Sequence, residues 1–159
     1  MLNLTAPQLL KLEILYRAIV QRNFHEIIIA NFGGDNSEFQ EGMNHAQVLD
    51  ELKHSAHNLD LVFNELEYDD ALQELREEVR CGGVETNLPA SHSRHYEVDA
   101  VAMYIFGTWV SWDYYYGGGK HGQPEECEWI DCAKFVRCEQ EPVTVIKHTF
   151  FALEGTNAT

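Results

Sequence analysis

Seven carboxylates, Glu65, Glu67, Asp69, Asp70, Glu74, Glu77 and Glu78, fall within 14 residues. So dense an array can imitate the phosphate spacing of a nucleic acid and occupy a basic groove on another protein. The plainer reading of the same run is the solubilising face of ordinary helices. A second group is Tyr114-Tyr115-Tyr116-Gly117-Gly118-Gly119-Lys120-His121-Gly122. Three glycines let several backbone N–H groups converge, and Lys120 adds a positive charge, so Gly118, Gly119 and Lys120 could cradle a phosphate or carboxylate. His121 would then serve as acid or base. The Gly-x4-Gly-Lys-Ser/Thr spacing of a P-loop is absent, and Pro124-Glu125-Glu126 stands where a helix N-terminus should receive the anion. The competing reading is a glycine-rich strand connection.

The third group is aromatic. On a strand, Val110, Trp112, Tyr114 and Tyr116 share one face, and Trp109, Ser111, Asp113 and Tyr115 share the other. Aromatics on both faces exceed what a one-sided sheet needs. Trp109, Trp112 and Tyr115 are therefore candidate partner contacts, since Trp and Tyr dominate interface hot spots. The alternative is a sheet covered on both sides.

Metal and catalytic readings are weaker. Cys127, Cys132 and Cys138 with His121 lack the two-residue knuckles of zinc sites, and on a strand Cys132 and Cys138 read as small core residues. Asp50, His54 and His57 stand at i, i+4 and i+7 of a helix and read as a solvated face. His92 and His95 flank Arg94, but neither a Gly-x-Ser-x-Gly elbow nor a His-Glu-x-x-His helix occurs. No catalytic residue, metal or cofactor is expected.

The chain sets the frame for these groups. It has 159 residues, with 26 Asp and Glu against 11 Lys and Arg, a formal charge of −15. That balance argues against direct nucleic-acid binding and against an anionic membrane surface. Residues 1–88 hold 16 acids against 6 bases, so the N-terminal half carries most of the negative field. The start of the chain lacks a signal-peptide pattern, no stretch approaches 18 apolar residues, and the four cysteines read as reduced in a cytoplasmic setting.

The elements expected to position the candidate residues are as follows. Thr5 with Gln8 forms a capping-box pattern opening a helix that ends near Asn23. Ile27-Ile28-Ile29, β-branched and followed by Gly33-Gly34, reads as a short strand, the alternative being a continued helix. Asn44 caps a helix to about residue 66, and Asp69 or Asp70 caps another that stops at Gly82-Gly83. Residues 84–94 read as a linker. Strands are expected at 96–106, 108–116, 127–139 and 143–153, with a frayed tail at 154–159. The fold expected is α+β, a single domain with N-terminal helices packed on a mostly antiparallel sheet of four or five strands. An open aromatic edge on that sheet favours a homodimer.

One stretch carries a resemblance. Trp109-Val110-Ser111-Trp112-Asp113-Tyr114-Tyr115-Tyr116 followed by Gly117-Gly118-Gly119-Lys120-His121-Gly122, Pro124-Glu125 and Trp129 resembles a segment of small uncharacterised proteins encoded by bacteriophages and prophages. Less closely, Phe32-Gly33-Gly34-Asp35-Asn36-Ser37 is similar to a Gly-Asp-Ser-Gly turn of small mobile-element proteins, interrupted here by Asn36. The resemblance implies a phage origin and assigns no residue a role. By class, small acidic phage proteins without enzyme motifs often inhibit host machinery, anti-CRISPR and other anti-defence factors among them. The leading expectation is thus a non-enzymatic inhibitor binding a host defence or nucleic-acid-processing complex through a basic surface. The alternative is a small-molecule or nucleotide-binding protein, or an enzyme, using the Gly117–Gly122 loop.

Overall fold

The computed structural model describes residues 2–153. Helix α1, Ala6–Arg22, opens on the expected capping box, with Gln8 N–H donating to Thr5 Oγ1 and Thr5 N–H to Gln8 Oε1. Asn23 ends it in the left-handed conformation (φ 55°), which Asn tolerates better than most residues. Helices α2 (Phe24–Phe32), α3 (His45–His54), α4 (Ala56–Leu66) and α5 (Asp70–Cys81) follow. Asn44 with Gln47 caps α3 and Asp69 caps α5.

Two corrections arise in this half. Ile27-Ile28-Ile29 lies in α2 rather than in a strand. Phe24 and Ile28, four residues apart, bury into the shared core, and that burial outweighs the modest helix penalty of β-branching. The expected single helix to residue 66 breaks at Ser55 (φ −123°, ψ 95°), which ends α3 and caps α4 through its hydroxyl. The Asp50/His54/His57 face is split by that break. Asp50 and His54 pair with each other, both exposed.

Strands β1 (Val84–Glu85), β2 (Glu97–Ile105), β3 (Thr108–Tyr116) and β4 (Lys134–Val136) form one antiparallel sheet in sequence order. The fold is α+β, with the helices N-terminal to the main sheet. The β2–β3 hairpin runs in register from Glu97↔Tyr116 to Ile105↔Thr108. Its two-residue turn, Phe106-Gly107, has both φ angles positive (44° and 89°), the handedness that matches strand twist. Val101, Ile105, Val110 and Trp112 join the helices' core cluster. Ala102, Tyr104, Trp109, Ser111 and Asp113 lie on the other face. Part of that face is crossed by residues 86–91, fastened by Thr86 donating from N–H and hydroxyl to the Ala100 carbonyl and by Ser91 hydrogen-bonding Asp113.

The C-terminal expectations need three corrections. The 84–94 linker contains β1. The 127–139 strand shrinks to Lys134–Val136, because Trp129 and Ile130 turn inward in a non-strand segment. The expected strand 143–153 does not form: these residues belong to no helix or strand and every one is exposed. The cysteines are corrected with it: Cys81, Cys132 and Cys138 are exposed, Cys127 is half-buried and all four are free. The frayed tail at 154–159 lies outside the described residues. Among the described residues no helix is long and apolar enough to cross a membrane.

Candidate functional site: an acidic cleft

Helix α5 is amphipathic. Leu72, Leu75 and Val79 bury toward the core, which leaves Asp70, Glu74 and Glu77 together on another face at i, i+4 and i+7. The chain beyond β3 returns to this face through a 3-10 turn, Pro124–Glu126. Between them lies a cleft of about 800 Å³ lined by Asp70, Glu74, Glu77, Glu125, Glu126 and Arg76, with Tyr68 and Trp129 as its aromatic walls. Five carboxylates from two separated elements thus meet one cation. Among the described residues, Asp70, Glu125 and Glu126 have no ion-pair partner, whereas Glu74 pairs with Arg22 at 2.9 Å and Glu77 with Arg80 at 2.6 Å.

Arg80 holds the cleft's inner edge to the sheet. It is 5% exposed. Its Nε and Nη2 donate to the two Glu77 oxygens (2.7 and 2.6 Å), and its Nη1 donates to the Tyr115 carbonyl (2.8 Å). The guanidinium lies 4.9 Å from the Tyr114 ring centroid, and Trp112 Nε1–H donates to the Arg80 carbonyl at 3.2 Å. The Arg80 hydrogen bonds hold the Glu77 carboxyl below its ordinary range, and Glu77 in turn raises Arg80. Burial, with help from Glu77, pushes the neighbouring Cys81 thiol up. Burial also raises Cys127 and Cys132, so these three stay protonated at neutral pH and are poor nucleophiles.

The structure divides the seven α5-region carboxylates. Asp70, Glu74 and Glu77 line the cleft. Asp69 accepts from Ala71 and Leu72 N–H as the helix cap. Glu78 sits on another side, 3.9 Å from Arg17 of α1. Glu65 is exposed, and Glu67 is half-buried with its carbonyl accepting from the Gln73 side chain.

The aromatic candidates separate by face. Trp112 is 1% exposed and packs on Trp129 with ring centroids 5.6 Å apart, so it is a core residue rather than a contact. Trp109 lies half-buried on the outer face against Tyr104, centroids 5.6 Å apart, and Tyr115 is half-buried there too. The glycine loop has a structural explanation. Gly117, Gly118 and Gly119 all have positive φ, and a Cβ on Gly118 would stand 2.5 Å from the Tyr96 ring. Tyr96 Oη accepts from Gln123 N–H, pinning the loop's far end. Lys120 and His121 occupy an exposed 3-10 turn. No group of three or more His, Cys, Asp or Glu among the described residues is arranged to hold a metal ion.

Sequence reasoning missed Arg80, Glu125, Glu126 and Tyr68 as parts of this site. The Glu77/Arg80 spacing of three was a readable signal for the pair. Nothing local announces that Glu125 and Glu126 return to α5. The comparisons add no relative: no protein-family model, no curated protein and no solved structure matches this chain.

Proposed function

We propose that this chain is a non-enzymatic binding protein of phage or prophage origin that blocks a host defence or nucleic-acid-processing complex in the host cytoplasm. The observation that carries the binding half of this reading is the convergence of five carboxylates on one cleft, three of them without an ion-pair partner among the described residues. Carboxylates beside the exposed Tyr68 ring suit an arginine or lysine presented by a basic surface, through charge-assisted hydrogen bonds and a cation over that ring. The phage half rests on the Trp-rich strand and Gly/Lys/His loop.

The test is capture from a bacterial lysate, washed at low and then high salt, with bound protein and nucleic acid both identified. One basic, nucleic-acid-handling complex, released by high salt, is the expected outcome. The triple substitution Asp70→Asn, Glu125→Gln, Glu126→Gln should weaken that complex by about tenfold or more. Retention unchanged by salt and by the triple substitution would sink the reading.

A further inference from the structure

The most anomalous part of the molecule is the segment Val143–Leu153. Val143, Val145, Ile146, Phe150, Phe151 and Leu153 are between 72% and 90% exposed. The segment belongs to no helix or strand. Soluble chains rarely leave so much contiguous apolar surface uncovered unless another molecule covers it. If the segment is read as a strand, Val143, Val145, Phe151 and Leu153 share one face, and Ile146 and Phe150 lie on the other. Apolar residues on both faces suit a strand buried inside a sheet assembly rather than one laid on a surface.

The sheet offers a matching vacancy. β4 is the last strand in the order and pairs with β3 alone, so its outer edge is free to template another strand. Beside it, a groove of about 240 Å³ on the outer face has Val84, Trp109 and Val136 in its apolar lining and Glu85, Arg137 and Glu139 among its polar residues. Phe135, on the opposite face of β4, is half exposed. The segment carries Lys147 and no carboxylate; residues 1–142 hold 25 acids against 10 bases, and the β4 strand itself is bounded by Lys134 and Arg137. Six residues, 137–142, separate the segment from its own β4, and the segment pairs with no strand among the described residues.

We propose that Val143–Leu153 is a donor strand that pairs along the β4 edge of a second copy of this chain. Exchange under a two-fold axis closes the assembly as a dimer, since each copy gives one strand and receives one. The outer-face groove beside Trp109 then receives apolar side chains of the donor. This surface is separate from the acidic cleft.

The full chain is to be sized by light scattering and sedimentation between about 1 and 100 µM, a window spanning typical self-association constants. A mass twice the 18.3 kDa chain is expected, falling to the chain mass in the double variant Val145→Asp, Phe151→Asp with an unchanged far-ultraviolet spectrum. Glu125→Gln, Glu126→Gln should leave the dimer intact, which separates this association from the cleft's. A full chain that stays at 18.3 kDa throughout, or a double variant that still dimerises, overturns the proposal. If the double variant fails to fold, amide exchange of the wild type decides. Protection of 143–153 and of 134–136 should rise together with concentration, and a rise in neither or in only one overturns it.

Discussion

Ile27–Ile29 and Val143–Leu153 read alike as sequence, both β-branched and apolar, and they meet opposite fates. The first is drawn into α2, where Ile28 is fully buried among the helices. The second joins no helix or strand and keeps its apolar side chains in solvent. The difference lies in what each segment is offered. α2 follows α1 after one left-handed residue and docks on a core already in place. The C-terminal segment leaves β4 with no described part of its own chain packed over it. A β-branched run therefore adopts the structure its neighbours complete, and an uncompleted one marks where another chain belongs.

The comparison is sharpest at two isoleucines. Ile28→Ala should cost about 3 kcal/mol, from lost burial plus the cavity left behind. Ile146→Ala, measured at concentrations where the chain is monomeric, should stay within about 0.5 kcal/mol. Urea unfolding of both variants checks this, and equal losses would break the contrast.

A second test asks what ties the helical part to the sheet, a tie the C-terminal segment lacks. Glu77→Gln removes the negative charge and one of the two acceptor oxygens that face the buried Arg80 guanidinium. The expected loss is about 2 kcal/mol, reduced from a fully buried pair because Glu77 is half exposed. Its folded pKa lies below the ordinary 4.5, so its stabilisation is complete above pH 4.5 and fades as the pH falls through the folded value. The variant's unfolding free energy should accordingly fall less steeply below pH 4.5 than the wild type's. Parallel acid limbs would remove Glu77 as the cause.

The smallest expected effect is at a purely local signal. Asp69→Ala removes the side chain that accepts from Ala71 and Leu72 N–H, for about 1 kcal/mol. Thermal unfolding followed by helical circular dichroism reads it. No shift would mean that packing of Leu72, Leu75 and Val79 alone fixes where α5 begins.

These magnitudes follow the pattern of what was readable. The starts of α1, α3 and α5 were legible because Thr5/Gln8, Asn44/Gln47 and Asp69 act within one helical turn. The β2–β3 hairpin was legible because aromatic and β-branched runs flank a glycine turn, and β3 matches its expected bounds of 108–116. The break at Ser55, the inward turn of Trp129 and the short β4 depend on contacts far along the chain. So does the cleft. Its α5 wall could be picked from the carboxylate spacing, but its second wall exists only because the chain after β3 returns to α5.

The packed, tilted pair Trp112–Trp129 has an optical consequence. Both indoles are buried at 1% exposure and near enough to couple, while Trp109 is half-buried on the outer sheet face. Emission from the first two should be blue-shifted and protected from acrylamide, leaving Trp109 as the more quenchable fluorophore. Trp129 also walls the acidic cleft, and Trp109 lines the groove beside β4. Filling the cleft should perturb the protected emission, and filling the groove should shield the quenchable emission. The protein thus carries two native dyes, one for each of its two surfaces.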